Sequence, residues 1–461
     1  MLIRTINIDL NNFKNIYFLG IGGIGMSALA RYFKSQGFQV AGYDKTPSPL
    51  TAQLEQEGIE IHYTDYNTNI PEQYNDKSQT LIVLTPAIPK NHGELNYFET
   101  NGFEIVKRSE VLGLITKTSK GLCVAGTHGK TTTSTMLAHI LNQSDIKCTA
   151  FLGGISTNFN SNLVLHPEAQ YTVIEADEFD RSFLRLHPFA SIITSADPDH
   201  LDIYGDATHF REGFEMFANL HPTNGFVVQK HGLKLATLAT SYTYGINQPD
   251  ADFYCQNLRY VAGKFLMDVQ LPNQLLTDVE LGISGKHNAE NAVACIALCS
   301  LIGLELPVIL EGIKTFKGVK RRFEYHVKSQ HLIYIDDYAH HPTEIKALID
   351  SVKLMYPNQK ITGVFQPHLF TRTRDFFDGF AEQLSRLDET ILMPIYPARE
   401  EPIEGVTSNS LLSKITAKEK QLLTPQEVIN YLKTKNEGVF LTIGAGDIDR
   451  IVPQLKANWS E

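Results

Sequence analysis

The sequence predicts an α/β protein of three domains. Short apolar runs alternate with helix-like stretches along most of the 461 residues, which is typical of parallel sheets whose strands are connected by helices. Glycine-rich turns that lead into a helix follow two of these runs. The chain is also long enough for about three domains of ~150 residues each. We place the domains at residues 1–117, 118–320 and 321–461.

The first domain is predicted to be Rossmann-like. Apolar runs predict strands at residues 16–19, 38–43 and 80–85, and residues 26–36 predict a helix behind a glycine-rich turn. The polar residues 116–120 are interpreted as a linker to the next domain.

The second domain is predicted to be P-loop ATPase-like, with a small β insertion at residues 226–283 where short alternating strands are separated by Gly, Pro and Asn. Its predicted strands are residues 122–125, 171–174, 190–194, 253–258 and 264–271, and its predicted helices are residues 134–141 and 289–301.

The third domain is predicted to be a second Rossmann-like, doubly wound sheet. Its predicted strands are residues 332–335, 361–364, 389–394 and 439–443, and its predicted helices are residues 344–354 and 376–387.

Composition excludes several classes of protein. The formal charge of −10 gives no global basic field, so we expect neither nucleic acid nor a membrane as partner. Five scattered cysteines, an odd number without zinc spacing, favour a reducing compartment. No stretch approaches ~20 apolar residues and no secretory segment is apparent, so we expect a cytoplasmic protein.

The strongest functional signal is the turn at residues 126–133, between a strand and a helix. Its glycines let backbone N–H groups approach phosphate oxygens, and the helix N-terminus adds partial positive charge. Lys130 supplies a point charge and Thr131 can hold Mg²⁺. Val124 stands where the standard P-loop has its first glycine, so we expect a shorter turn; a plain strand-to-helix turn is the alternative. The predicted nucleotide-binding residues here are Gly126, Thr127, His128, Gly129, Lys130, Thr131 and Thr132.

Residues 20–25 form a second glycine-rich turn, which fits G-x-G-x-x-G. Asp44 ends the next strand, where an acidic partner for a ribose is expected. The motif requires a pyrophosphate at a helix N-terminus and does not require a nicotinamide. An NAD-dependent oxidoreductase, or glycines that serve only close packing of helix and strand, are the alternatives.

Acidic groups follow two strands of the central domain. Glu175 opens the run at residues 175–180 and is the best Mg²⁺ candidate, because carboxylates this close together are costly without a cation. His200 lies among three aspartates at residues 197–202 and is a further metal candidate. A solvated acidic loop and a structural histidine are the respective alternatives.

Basic and aromatic side chains lie on both sides of the start of the third domain. His287 can stack on a base, and Asn288 can hydrogen-bond one or cap the helix that follows. Arg322 lies in a compact cationic group, residues 320–324, and suits a phosphate; a solvated basic run is the alternative.

Two polar segments of the third domain, residues 336–342 and 366–375, follow strands at the edge where open α/β sheets bind ligands. Arg372 and Arg374 suit a small carboxylate. Ordinary polar loops are the alternative for both segments.

Together these segments resemble the Mur ligase family of peptidoglycan synthesis. One such motif would be a weak signal, but the ordered set is specific and covers nearly the whole chain. The resemblance implies three domains that hold, in order, a UDP-linked substrate, ATP, and the incoming amino acid. The segments that carry it are residues 20–27, 126–133, 175–180, 199–202, 287–288, 321–324, 336–342 and 366–375.

The resemblance also implies residue roles. Gly22, Gly23 and Gly25 would contact the pyrophosphate of the UDP substrate, and Asp44 the uridine side. The remaining implied roles are the β/γ-phosphates for Lys130, Mg²⁺ for Thr131 and Glu175, a second metal site for His200, adenine for His287 and Asn288, a phosphate for Arg322, the ATP ribose for Asp337, the γ-phosphate for His341, and the amino acid for His368, Arg372 and Arg374.

Two features separate the chain from parts of the family. Several sister ligases carry a metal-bridging modified lysine where residues 201–229 of this chain have no lysine, which fits the alanine-adding branch. Leu369 stands where some alanine-adding members have Arg, which bears on the amino-acid pocket. A tripeptide-recycling relative is the nearest alternative.

The resulting hypothesis is ATP-dependent C–N bond formation. In the reaction that the resemblance implies, the lactyl carboxylate of UDP-N-acetylmuramate would attack the γ-phosphate, and the amine of L-alanine would then attack the acyl-phosphate. We expect ATP and two Mg²⁺ as cofactors, a bacterial cytoplasmic enzyme, and a monomer or homodimer. A non-catalytic nucleotide-binding scaffold is the rival from another class. The residues expected to be catalytic are Lys130, Glu175, His200, His341 and Arg372.

Overall fold

The structure is a computed structural model that describes residues 8–66, 69–198, 201–398 and 400–459. It contains three sheets that follow one another along the chain. Most of their strand pairs are parallel, which confirms the predicted α/β class. The domain boundaries after residues 117 and 320 stay predictions.

The first sheet has five parallel strands in the order β3-β2-β1-β4-β5. All positions of its central strand are buried, as expected where helices cover both faces of a parallel sheet. The strands are β1 (Asn15–Leu19), β2 (Gln39–Tyr43), β3 (Glu60–His62), β4 (Thr80–Leu84) and β5 (Glu104–Lys107), and the helices are α1 (Ile24–Ser35), α2 (Pro49–Gln56), α3 (Gly93–Thr100) and α4 (Arg108–Lys117).

The second sheet has ten strands in the order β15-β14-β13-β12-β11-β10-β6-β9-β7-β8. The strands are β6 (Lys120–Ala125), β7 (Thr149–Ser156), β8 (Ser161–Val164), β9 (Tyr171–Ala176), β10 (Pro188–Ile193), β11 (Phe226–Lys230), β12 (Thr240–Ile246), β13 (Phe253–Val261), β14 (Lys264–Leu271) and β15 (Gln274–Leu281). The helices are α5 (Lys130–Gln143), α6 (Leu201–Tyr204), α7 (Ala207–Ala218), α8 (Lys286–Leu301) and α9 (Leu306–Thr315).

The strands predicted within residues 226–283 are present, and they continue this central sheet. β11 pairs with β10 and β12 with β11, both in parallel. The segment therefore extends the edge of the sheet next to β10, which spacing along the sequence could not reveal.

The predicted linker at residues 116–120 is wrong. α4 continues to Lys117 and β6 begins at Lys120, so only two residues separate them. Thr116 is buried, and its hydroxyl donates to the carbonyls of Leu112 and Gly113, both at 3.0 Å. A polar side chain that bonds to its own helix in this way does not end the helix.

The third sheet has six strands in the order β16-β17-β21-β18-β19-β20, and only the β16–β17 pair is antiparallel among its paired strands. The strands are β16 (Glu324–Lys328), β17 (Leu332–Asp337), β18 (Ile361–Phe365), β19 (Glu389–Leu392), β20 (Glu419–Leu422) and β21 (Gly438–Ile443). The helices are α10 (Pro342–Met355), α11 (Phe370–Asp375), α12 (Phe377–Leu384), α13 (Ser408–Lys414), α14 (Pro425–Leu432) and α15 (Val452–Trp459).

The chain divides into two compact units. Unit 1 is the chain up to Asn257 with Met267–Glu280 and Glu290–Phe316, and unit 2 is Leu258–Leu266, Leu281–Ala289 and the chain from Lys317 on. Within the described residues, no helix is long and apolar enough to span a membrane.

Inside unit 1, one apolar core joins the first and second sheets. The Tyr32 ring of α1 packs edge-on against Phe151 of β7, with ring centroids 5.3 Å apart. The fully buried amide of Asn162, on β8, donates to the carbonyl of Ile24 at 2.5 Å and accepts from Arg31 at 2.6 Å. These contacts hold α1 against the central sheet.

Candidate functional site

The turn between β6 and α5 consists of four residues, from Gly126 to Gly129, and is short as predicted. Both glycines have positive φ, +139° and +83°, which L side chains rarely adopt. A Cβ at Gly126 would also meet the backbone nitrogen of Ser195 at 2.8 Å. The tight bend therefore needs glycine, and it leads directly into the N-terminus of α5.

The ammonium of Lys130 lies at this turn. It donates to the Gly126 carbonyl at 2.6 Å and to both carboxylate oxygens of Glu178 at 2.7 and 2.9 Å. Burial alone would lower the pKa of Lys130, but the carboxylates of Glu178, Glu175 and Asp177 raise it, so the ammonium is charged. Glu178 is 2% exposed. Sequence analysis noted the acidic run but did not distinguish Glu178 as the partner of Lys130.

Thr131 and Glu175 form a polar pair beside Lys130. The Thr131 hydroxyl donates to Glu175 Oε1 at 3.1 Å. Glu175 lies inside β9, next to Val124 of β6, so the sheet fixes its position. Its Oε2 atom is buried and has no hydrogen-bond partner in the part of the chain that the structure describes. A carboxylate oxygen left in this state, next to a threonine hydroxyl, fits the ligand set that Mg²⁺ prefers.

The segment after β10 supports the same turn. The Thr127 hydroxyl donates to the Asp197 carbonyl at 2.7 Å, and the His128 amide donates to the Ser195 hydroxyl at 2.9 Å. Predicted metal ligand His200 and its neighbour Asp199 lie outside the described residues. The second metal site therefore stays a prediction.

The other predicted turn of unit 1 joins β1 to α1. Asp44 accepts from the Gly22 amide at 2.7 Å and from the Thr46 amide at 3.2 Å. A Cβ at Gly22 would meet Asp44 Oδ2 at 2.8 Å, and one at Gly25 would collide with the guanidinium of Arg108. Gly23 has ordinary space around it. Arg108 lies far along the chain from the turn, so no local sequence pattern indicates that the two meet.

In unit 2, His287 lies at the start of α8. Its Nδ1 is buried without a hydrogen-bond partner among the described residues, and burial together with Arg322 lowers its pKa to about 4. Its imidazole is therefore neutral at pH 7. The Asn288 side chain donates to the Ser284 carbonyl at 2.6 Å, so its amide nitrogen stabilises the turn before the helix.

Asp337, at the end of β17, ties two predicted segments together. Its carboxylate accepts from the Phe323 amide at 2.7 Å and from the Ala339 amide at 2.8 Å. Burial raises its pKa to about 6, although Arg322 and these two N–H groups oppose the rise. The backbone of the basic segment is thereby fixed against the loop that follows β17.

The two arginines of the basic segment have different surroundings. Arg321 pairs with buried Asp336 at 3.4 Å and donates to the Gly444 carbonyl at 2.6 Å. Both guanidinium groups lie over the Tyr338 ring at 5.1 Å, but Arg322 forms no ion pair within the described chain. Arg322 is therefore the one of the two that is available to an anionic ligand.

His341 is the N-cap of α10. Its Nδ1 accepts from the Thr343 amide at 3.3 Å, and its ring packs edge-on against Phe376 at 4.4 Å. The ring position is thus set by the helix it caps.

The segment after β18 holds the predicted amino-acid residues. The His368 ring stacks on Tyr396, and its Nδ1 lies 3.3 Å from Arg372 Nη1. Burial and Arg372 lower the pKa of His368 to about 4. Arg374 is exposed and pairs with its neighbour Asp375 at 2.7 Å. The two arginines predicted to hold a carboxylate therefore have separate partners.

Leu369, between His368 and α11, has a φ of +68°. This left-handed conformation is a strained one for a branched side chain. Its amide donates to the Tyr396 carbonyl at 2.9 Å, which holds the turn in place. Strain at a candidate ligand edge is a common feature of functional sites.

Known proteins match the chain over nearly its whole length. The Mur ligase family, catalytic domain, matches residues 15–120, the Mur ligase middle domain matches residues 124–299, and the Mur ligase, glutamate ligase domain matches residues 321–446.

Individual relatives agree with this match. The UDP-N-acetylmuramate--L-alanine ligases of Parabacteroides distasonis and Porphyromonas gingivalis are 51% and 49% identical over 97% and 96% of this chain and 98% of each relative. The crystal structure of the UDP-N-acetylmuramate-alanine ligase from Thermotoga maritima has a TM-score of 0.83 at 29% identity, covering 96% of this chain and 98% of that chain. This chain therefore belongs to the Mur ligase family.

Proposed function

We propose that this protein is an ATP-dependent ligase that joins L-alanine to the lactyl carboxylate of UDP-N-acetylmuramate in peptidoglycan precursor synthesis. The observation that carries the proposal is the charged ammonium of Lys130 on a strand–glycine turn–helix junction, beside Thr131 and Glu175. It is supported by full-length relatives at 51% and 49% identity that are named for this reaction.

The reaction brings together two anions, a carboxylate and a triphosphate, and their repulsion must be cancelled. Lys130 and the N-terminus of α5 supply positive charge at the β/γ-phosphates, and Arg322 supplies it at a phosphate. Bound Mg²⁺ would neutralise charge on the phosphate oxygens. Thr131 and Glu175 would hold one such ion, and His200 belongs to a second site in this proposal.

Little covalent chemistry is required of the protein, because the substrates supply nucleophile and leaving group. The lactyl carboxylate forms an acyl-phosphate and ADP, the alanine amine attacks the acyl carbon, and phosphate leaves. His341 and His368 are the candidates that accept the amine proton, and Arg372 and Arg374 the candidates that orient the alanine carboxylate.

At the nucleotides, His287 and Asn288 are proposed to contact adenine and Asp337 the ATP ribose. Gly22, Gly23 and Gly25 are proposed to contact the pyrophosphate of the UDP-sugar, with Asp44 on the uridine side. Two Mg²⁺, a cytoplasmic location, and a monomer or homodimer complete the proposal.

The experiment is a phosphate-release assay with ATP, Mg²⁺, UDP-N-acetylmuramate and one amino acid at a time. We expect release with L-alanine and none when either the UDP-sugar or the amino acid is omitted. Release with a tripeptide but not with L-alanine would favour the recycling reaction. A fluorescence change on titration with NADH, together with no phosphate release, would favour an oxidoreductase.

A further inference from the structure

The guanidinium of Arg108, the first residue of α4, lies over the N-terminus of α1. A Cβ built on Gly25 would meet Arg108 Nη1, with Cδ and Cζ at 3.1 and 3.2 Å. α1 has Gly23 at its N-cap, no side-chain cap and no acidic residue in its first turn. The positive charge of Arg108 therefore lies beside the partly positive N-terminus of α1, and the first turn of α1 contains no acidic side chain that could neutralise them.

Arg108 is held from the opposite direction by the segment after β9. Its Nη2 donates to Asp177 Oδ2 at 3.0 Å, and its side chain makes no other hydrogen bond within the described residues. A guanidinium has five N–H donors. Nη1, which lies over Gly25, is thus left to a further acceptor, while Asp177 holds the guanidinium through Nη2.

We propose that Arg108 positions the diphosphate of the UDP-sugar over the glycine turn, with Asp177 orienting its guanidinium. The inference rests on the proposed function, which assigns the turn to a UDP-linked substrate. A guanidinium suits this ligand because two parallel N–H groups match two phosphate oxygens. Gly25 is then required twice, for the approach of the diphosphate to the backbone and for the place of Arg108.

Asp177 also connects this position to the phosphate turn of ATP. It lies in the same segment as Glu178, which binds Lys130, and two residues after Glu175. The Arg108–Asp177 ion pair thus fixes the diphosphate of one substrate relative to the residues proposed to hold the triphosphate of the other.

A purely structural ion pair is the competing explanation, and the chain contains a matched control. Arg185 pairs with Glu110 at 2.6 Å and joins the same two segments, α4 and the residues after β9. Its side chain is exposed to 24%, against 26% for Arg108, but it does not lie on the glycine turn. Loss of either ion pair should reduce the stability of the fold to a similar extent, whereas only loss of Arg108 should weaken binding of the diphosphate.

The test is calorimetric titration of the full chain with UDP and with UDP-N-acetylmuramate. Arg108→Gln should raise both Kd values at least ~10-fold, the effect of one lost charge-assisted hydrogen bond or more. Arg185→Gln should leave both within about 2-fold. The Kd for a non-hydrolysable ATP analogue should stay unchanged in both variants. If Arg108→Gln does not fold, Arg108→Lys takes its place in the test. This variant keeps the charge but loses the planar fork, and it should raise both Kd values about 3-fold or more.

Unchanged UDP affinity in Arg108→Gln or in Arg108→Lys would overturn the inference and leave the proposed function intact. Equal losses in the Arg108 and Arg185 variants would also overturn it, since a structural pair would explain them. If the unmodified protein bound neither UDP nor UDP-N-acetylmuramate, the proposed function would fail, and the inference with it.

Discussion

At the scale of single residues, variants of the Lys130–Glu178 pair distinguish the contribution of Lys130 to catalysis from its contribution to stability. The two side chains are 14% and 3% exposed, so removal of Lys130 leaves a buried carboxylate without its cation. Lys130→Met should therefore lose ~10²-fold or more in kcat and also destabilise the fold by about 3–5 kcal/mol. The double variant Lys130→Met/Glu178→Gln should regain most of the stability but none of the turnover. Urea denaturation and phosphate release measure the two effects.

Lys120→Met is the matched control, because Lys120 is an exposed lysine at the start of β6, the strand that leads into the turn before Lys130. It should change neither quantity by more than a small factor. Turnover of the double variant close to that of the unmodified protein would contradict the role proposed for Lys130.

Glu94 gives a pH prediction. It is fully buried at the start of α3, accepts from the Tyr17 hydroxyl at 2.8 Å, and burial raises its pKa to about 8. In the unfolded chain this pKa is ~4.3, so between about pH 5 and 8 the folded state holds one more proton than the unfolded state. The free energy of unfolding therefore falls as pH rises through this window, because the unfolded chain releases the Glu94 proton first.

Glu94→Gln stays neutral and should reduce that downward slope by up to ~1.4 kcal/mol per pH unit. Urea denaturation from pH 5 to pH 9 measures the slope. Glu99→Gln, an exposed change on the same helix, is the control and should keep the slope of the unmodified protein. A slope unaffected by Glu94→Gln would show that this carboxyl ionises normally in the folded protein.

At the scale of elements, local patterns predicted most strands and helices, because apolar runs and glycine turns act over a few residues. The helix predicted at residues 134–141 begins earlier, at Lys130, because Gly129 is its N-cap. The linker failed because polarity alone does not end a helix. The continuation of the sheet beyond β10 could not be predicted, because strand order is set by contacts distant in sequence.

The same distinction applies to the candidate site. Lys130, Thr131 and Glu175 were predicted because each lies at or near the carboxyl end of an apolar run, within a recognisable local pattern. Glu178 and Arg108 were not, since their importance depends on which atoms they meet across unit 1. The exposure of the Arg374 guanidinium and its pairing with Asp375 could not be predicted from sequence either, and its role toward the amino acid stays a prediction.

At the scale of the whole molecule, the net charge of −10 shows why binding of anions depends on local groups. The formal charge opposes the approach of ATP and of a UDP-sugar. The ammonium, guanidinium and helix ends identified above must supply the attraction at short range. Salt should therefore affect binding less steeply than in proteins with an extended basic surface.

The two compact units predict separate unfolding events. The turns proposed to hold the UDP-sugar and the ATP phosphates both belong to unit 1, so UDP-N-acetylmuramate should stabilise only the transition of unit 1. At 100 times its Kd, the gain is ~2.7 kcal/mol. Differential scanning calorimetry with and without the ligand measures it.

A variant in unit 2 identifies which transition is which. Phe440, in the core of the third sheet, is 3% exposed. Phe440→Ala should lower the free energy of unfolding of unit 2 by about 3–5 kcal/mol and so move its transition to a lower temperature. The transition that Phe440→Ala lowers should be the one that UDP-N-acetylmuramate leaves in place. A shift of both transitions by the ligand, or a single transition for the whole chain, would mean that the units are energetically coupled. Ligand binding in unit 1 would then stabilise the third sheet as well.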